Sequence, residues 1–119
     1  MKNVEQTNCN GKTITIINLQ GATPATLPNI LNEAQTLITS APPKSILSLT
    51  DATNFTFNKE SAVLLKTYSE KIIPNIKASC VVGADSLRGV LLSSISQHIQ
   101  KEIKNFGTRT EAINWLSTQ

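Results

Sequence analysis

Short apolar runs alternate along this chain with longer stretches whose apolar residues recur at helical spacing. The runs 13–19 (TITIINL), 45–49 (SILSL) and 78–82 (ASCVV) are rich in β-branched residues or uniformly apolar, which is typical of strands. The helical stripes between them run from Leu27 to Ile38 and from Leu64 to Ile73. Strands that alternate with helices pair in parallel through right-handed crossovers, so the pattern predicts an α/β fold.

The beginning of the chain predicts a hairpin and then a helix. Asn10-Gly11 suits a type I′ turn, in which both central residues have positive φ, and it would pair a strand around 4–7 with the run 13–19. Thr23-Pro24 combines a capping side chain with a first-turn proline, so we expect the first helix to begin there. Pro42-Pro43 ends that helix.

The second half of the chain continues the alternation. The turn 83–86 leads into a third predicted helix, striped by Leu87, Val90, Leu91, Ile95, His98 and Ile99. Phe106 lies in a brief final strand, and Thr108 and Glu111 have the spacing of a capping box that opens a last helix. The whole pattern predicts one domain over residues 1–119, with a mixed sheet of four to five strands, an N-terminal hairpin and mostly parallel strands thereafter.

Composition narrows the classes of partner. The chain has 119 residues with a net charge of +3, and the basic surplus lies in residues 71–119. No basic run or interleaved aromatic residues accompany this surplus, so we expect no nucleic-acid binding, and either an acidic partner or an ordinary solvated surface explains it.

No apolar stretch approaches the roughly 18–20 residues of a membrane span. Cys9 and Cys80 lie far apart and no apolar leader segment is evident, so we expect a cytoplasmic protein with free thiols.

The residues also argue against several chemistries. One histidine and two distant cysteines are too few for a zinc site. His98 falls within the apolar stripe of the third predicted helix, which favours a packed ring over a general base. Neither a Walker-type loop nor a G-x-G-x-x-G motif is present. The sequence therefore predicts no catalytic residue, no cofactor and no metal.

One set of polar residues has the placement of a ligand site. In open α/β sheets, ligands gather beyond the carboxyl ends of the parallel strands, where this chain places Asp51 after one strand and Gly83 after the next. The candidate anion-binding residues are Gly83, Asp85, Ser86 and Arg88. The free N–H groups of the following helix would hold a phosphate or carboxylate. Alternatively, Asp85 or Ser86 only caps that helix and Asp51 only ends its strand.

Residues 45–116 resemble the small bacterial STAS-like proteins related to anti-sigma-factor antagonists. The resemblance depends on the strand ending in 49–53 (LTDAT), on 76–78 (IKA), and on Val81-Val82-Gly83 followed by Leu87-Arg88. It continues in the closing Phe106, Glu111-Ala112 and Trp115-Leu116. These motifs describe a scaffold more than an activity.

The resemblance implies a non-catalytic regulatory module whose protein partner binds the loop 51–57 and the start of the next helix. The implied partner-binding residues are Asp51, Asn54, Phe55, Phe57, Asn58, Glu60 and Ser61. In the antagonists, a serine at the start of this helix is phosphorylated and the added charge breaks the complex. Here the Asp-Ser-Ser-Gly pattern is absent: Glu60 takes the place of that serine and Ser61 lies beside it, so the switch is expected to be lost.

Two functions remain open from the sequence. For a protein-binding module, Phe55 and Phe57 are expected to be exposed in the polar loop and to mark the interface, although Phe57 also suits a hydrophobic staple. The alternative is a small-molecule, lipid or anion carrier or sensor, with its ligand near 83–88 and Asp51. A homodimer is compatible with either function, because a short sheet has edges that need covering.

Overall fold

The computed structural model describes residues 3–23, 25–53, 55, 59–83 and 104–119. Its strands are β1 (Val4–Cys9), β2 (Lys12–Asn18), β3 (Ile46–Asp51), β4 (Ile76–Val82) and β5 (Lys104–Phe106). Its helices are α1 (Leu27–Thr39), α2 (Lys59–Ile72), a 3₁₀ turn (Ile73–Asn75) and α3 (Arg109–Leu116). The strands form one sheet in the order β1-β2-β3-β4-β5.

The predicted hairpin is present at the start of the chain. Asn10 has φ 53° and Gly11 has φ 78°, so both central residues of the turn are left-handed, as a type I′ turn requires. The two-residue loop sets the antiparallel register from Cys9 opposite Lys12 to Val4 opposite Ile17. The local turn chemistry therefore decides which face of the sheet each residue of β1 and β2 occupies.

The remaining strands pair in parallel, which confirms the predicted mixed α/β sheet. β2 pairs with β3, β3 with β4, and β4 with β5, and Leu49 lies between Ile16 on one side and Cys80 on the other. Because helices cover both faces, the central strands are apolar nearly throughout and do not alternate with polar residues. Cys80, in the apolar run of β4, is fully buried.

Helices pack on both faces of the sheet. α1 and α2 cover the face that carries Ile17, Ile76 and Val81. α3 covers the other face, where Ala112 and Leu116 pack near Leu49 and Cys80. Asp51 pairs in register with Asn18 and Val82, and it continues the row of Leu47 and Leu49 along β3, so it projects toward the α3 side.

The helix ends follow the predicted chemistry with one correction. The predicted start of α1 at Thr23-Pro24 is wrong: the helix begins at Leu27, because Thr23 and Thr26 bond to each other in a preceding turn and Pro28 occupies the first helical turn. The Glu111 amide donates to Thr108 Oγ1 at 3.2 Å, which confirms the predicted cap of α3. The third predicted helix lies outside the described residues. None of the described helices is long and apolar enough to cross a membrane.

Candidate functional site

The ends of three parallel strands meet at one edge of the sheet, and Asp51 lies at their centre. Gln20 follows β2, Asp51 closes β3 and Gly83 follows β4. Arg109 begins α3, and this helix packs back against β3 and β4. The topology therefore brings together a carboxylate, an amide, a guanidinium and a glycine turn from four separate parts of the chain.

The Asp51 carboxylate is buried and accepts four hydrogen bonds. Its residue is 1% exposed. Thr53 donates twice to Oδ1, from its amide at 3.0 Å and from its hydroxyl at 2.6 Å. Gln20 Nε2 donates to Oδ2 at 2.9 Å, and Arg109 Nε donates to the same oxygen at 2.6 Å. We name this set of residues, Gln20, Asp51, Thr53 and Arg109, the Asp51 cluster.

The pKa of Asp51 is set by two opposing effects. Burial raises the pKa because it removes water from the charged form. Hydrogen bonds from Thr53, Arg109 and Gln20 outweigh that effect and hold the pKa below its ordinary value of 3.8. The carboxylate is therefore charged at neutral pH, and Arg109, whose side chain is 34% exposed, supplies the opposite charge.

The bonding of Asp51 limits what this residue does chemically. A carboxylate that already receives an amide, a hydroxyl, a guanidinium and a carboxamide has little capacity left to accept a proton from a substrate. Its pKa is also lowered, whereas a general base at neutral pH needs a raised one. The Asp51 cluster therefore has a structural role: it connects the loop after β3 to the start of α3.

Gly83 lies at the same edge of the sheet, where its backbone packs closely against the Thr53 turn. Its φ is +79°, which favours glycine. A Cβ built on Gly83 would lie 2.4 Å from Thr53 Oγ1 and 2.8 Å from Thr53 Cα, so the main chain approaches the Thr53 turn closely. The Gly83 amide donates to the Phe106 carbonyl at 3.1 Å. The prediction that Asp51 and Gly83 belong to one edge is confirmed, with Thr53 between them.

Three residues of the predicted partner surface are buried, Asp51, Phe55 and Ser61, and the expected exposure of Phe55 is therefore wrong. Phe55 is 3% exposed and belongs to the core under α1 and α2, because its amide bonds to the Ala52 carbonyl at 3.0 Å and the turn folds the ring inward. Ser61 is 4% exposed. Its position starts the buried stripe that continues with Leu65 and Tyr68 at spacings of four and three.

The other predicted site residues divide between the surface and the undescribed parts. Glu60 is exposed in the first turn of α2, where its charge suits the helix dipole. Asn54, Phe57 and Asn58 lie outside the described residues. Of the predicted anion-binding set, Gly83 is described, and Asp85, Ser86 and Arg88 are not.

Sequence reasoning missed two residues, Arg109 and Val63. Arg109 reaches Asp51 across 58 positions, and nothing local to either residue signals that pairing. Val63 is 59% exposed and is the one large hydrophobic side chain exposed within the described ranges. A signal for Val63 existed, because it falls outside the stripe that carries Leu65, Tyr68 and Ile72 on the buried side of α2.

Among the described residues, one buried polar side-chain atom has no hydrogen-bond partner. The Tyr68 hydroxyl is buried between α2 and the sheet, with no hydrogen bond in the part of the chain that the structure describes. Burial raises the pKa of this phenol, so it stays protonated. Over the same ranges, no three His, Cys, Asp or Glu side chains gather as they would around a metal ion.

Comparison with known proteins adds no relative. No protein-family model matches the chain, and neither a curated protein nor a solved structure matches it.

Proposed function

We propose that this protein is a non-catalytic binding module of STAS-like type, which captures a protein partner on the exposed side of α2. The surface consists of the outward-facing residues of that helix, which we call the α2 face: Lys59, Glu60, Val63, Lys66 and Thr67. The STAS-like resemblance directs attention to the start of this helix. The occupant that fits it is a protein surface with an apolar centre and a polar rim.

Exposed Val63 is the observation that carries the proposal. Its side chain lies in the middle of the α2 face, one helical turn from Lys59 and Glu60 on one side and from Lys66 and Thr67 on the other. All four of these neighbours are exposed and polar. An exposed apolar side chain between polar ones matches the apolar centre and polar rim of a protein interface.

The burial of Ser61 supports the loss of the kinase switch. A kinase must reach the hydroxyl, and the residue is only 4% exposed on the sheet-facing side of α2. Phosphate there would carry its charge into the core. Glu60, beside it, supplies a permanent negative charge at the exposed helix start.

The Asp51 cluster supports a binding module in preference to an enzyme. The carboxylate at the ligand edge of the sheet is occupied by four hydrogen bonds from the protein itself. This cluster holds α3 and the loop after β3 in place.

The test is gentle purification of the tagged protein from its own cells, followed by native and quantitative mass spectrometry. The comparison is between the wild type, Val63→Asp, and the matched control Asn114→Asp. Asn114 is also exposed on a helix, but on α3, which lies on the opposite face of the sheet. We expect a protein of defined stoichiometry to accompany the wild type and the control and to be lost from Val63→Asp.

Retention of the partner by folded Val63→Asp, with folding checked by circular dichroism, would disprove the α2 face as the interface. If no protein accompanies the wild type, the proposed function itself is wrong.

A small-molecule carrier is the second candidate function, and the unpartnered Tyr68 hydroxyl is the observation that favours it. A buried phenol with no partner needs a polar group to satisfy it, and a bound ligand is one source. In this case the same mass spectra would contain a small molecule, and Tyr68→Phe would lower its occupancy.

A further inference from the structure

The outer edge of β1 is unpaired, and a groove of about 630 Å³ runs between this strand and α1. No described segment pairs with this edge. We propose that the groove binds an extended, cationic peptide segment of a partner protein, which joins the sheet as an additional strand beside β1. This surface is separate from the α2 face and does not depend on it.

The main chain of β1 presents a regular set of hydrogen-bonding groups at this edge. The Asn18 amide donates to the Asn3 carbonyl at 2.6 Å, and the two-residue turn closes at Cys9 and Lys12. Antiparallel pairs alternate between bonded and non-bonded, so the odd-numbered residues of β1 bond to β2. The N–H and C=O groups of Val4, Gln6 and Asn8 therefore point outward, where a new strand would bond to them.

The two edges of the sheet differ in how they resist such pairing. β5 is three residues long and carries Lys104, and short strands with lysine are features that block edge-to-edge association. β1 has six residues with no proline, no lysine and no break in its register. β1 is thus the edge that lacks these protections.

The groove beside β1 supplies side-chain contacts for one face of an added strand. Gln6 lines it from the sheet, and Glu33, Thr36 and Leu37 line it from α1. An extended peptide that bonds to the edge of a strand and lays alternate side chains against a neighbouring helix is a known mode of peptide recognition. In that mode the main chain provides affinity and the helix-facing side chains provide specificity.

The charge of the groove indicates which kind of segment it binds. Glu33 carries the acidic charge of the groove, and no lysine or arginine lines it. Glu5 also lines the groove, but its carboxylate lies 3.9 Å from the Arg109 guanidinium on the α3 side of the sheet. Neither β1 nor α1 contains a basic residue. A lysine or arginine facing Glu33 complements this charge, whereas β1 and α1 of a second copy would bring no basic residue to pair with Glu33. The occupant is therefore a basic segment of another protein.

The first experiment is a selection from a random library of displayed eight-residue peptides against the wild type, Glu33→Lys and the control Asn32→Lys. Asn32 is the exposed neighbour of Glu33 on α1 and does not line the groove. We expect the wild type and the control to enrich peptides with alternating β-branched residues and at least one lysine or arginine. Glu33→Lys should weaken binding of those peptides by about fivefold, the scale of one exposed ion pair, and should enrich acidic ones.

The second experiment measures amide hydrogen exchange with the tightest selected peptide. Protection should appear at Val4, Gln6 and Asn8, and a copy of the peptide with methylated main-chain amides should not produce it. Failure to enrich any sequence, enrichment unaffected by Glu33→Lys, or protection elsewhere would overturn the proposal. Protection of the same amides by raised protein concentration alone would also overturn it, because a second copy would then be the occupant. Neither experiment involves Val63, so a failure here leaves the α2 face to its own test.

Discussion

Arg109 Nε lies 2.6 Å from Asp51 Oδ2, and this contact joins the first residue of α3 to the last residue of β3. The guanidinium also lies 3.9 Å from Glu5 Oε1 on β1. One side chain thus links the last helix to the centre of the sheet and to its free edge. Changes at these contacts should alter the stability of the fold, which is measurable without knowledge of the partner.

Replacing Arg109 with methionine should destabilise the fold. The variant removes the charged donor from a buried carboxylate, and hydrogen bonds to charged groups contribute about 1.5–3 kcal/mol. Since Thr53 and Gln20 remain and Arg109 is partly exposed, we expect a loss near the lower end, about 1.5 kcal/mol in the free energy of unfolding measured with urea. Lys66→Met is the control, because it removes an exposed charge of the same sign. Equal loss in both variants would contradict a specific role for the Arg109–Asp51 pair.

The pKa of Asp51 predicts an acid-dependent loss of stability. Its pKa is lower in the folded protein than the ordinary value of 3.8, so the unfolded chain binds the proton more tightly. The contribution of Asp51 is therefore complete above pH 3.8 and is lost as the pH falls through the folded value. We expect the difference in unfolding free energy between the wild type and Asp51→Asn to shrink across that window.

Urea titrations from about pH 6 to about pH 2 measure this difference. Glu33→Gln is the control, since it removes one acidic charge from an exposed position where ion pairs contribute little. A wild-type advantage over Asp51→Asn that stays constant down to the lowest pH would show that the carboxylate is not stabilised by folding.

Two glycine substitutions separate backbone strain from steric contact. Gly21 and Gly83 both have positive φ, +72° and +79°, but a Cβ meets nothing within 4 Å at Gly21 and meets Thr53 at 2.4 Å at Gly83. Gly21→Ala should cost only the left-handed strain, about 1–2 kcal/mol. Gly83→Ala should cost about 1–3 kcal/mol more, because the Thr53 turn must move. Equal unfolding free energies for the two variants would mean that the contact with Thr53 carries no energy.

The two cysteines should differ in reactivity. Cys80 is fully buried in β4, and burial raises the pKa of its thiol to about 12, so almost no thiolate forms at neutral pH. Cys9 is half-buried at the end of β1. Iodoacetamide should add one group to the native protein and two after unfolding in urea, counted by intact mass. Native Cys9→Ser should gain none, and rapid labelling of that variant would show that Cys80 is accessible.

Local sequence determined most of the described elements. Positive φ at Asn10 and Gly11 is a property of that dipeptide, and Thr108 caps α3 through a residue three positions away. The β-branched run of β2 and the apolar runs of β3 and β4 predicted strands, and the structure confirms them. These features were accessible because each depends on residues within one turn or one strand.

Tertiary structure decided how those elements meet. The Arg109–Asp51 bond joins residues 58 positions apart, and the bond from Asn10 Nδ2 to Ser117 Oγ, 3.2 Å long, spans 107 positions. Phe55 is the sharpest example: a polar loop predicted an exposed ring, but the turn at Ala52 places it in the core. Whether a side chain is buried depends on which part of the protein packs against it. Segments far apart in the sequence form that packing surface, and the sheet brings them together only in the folded protein.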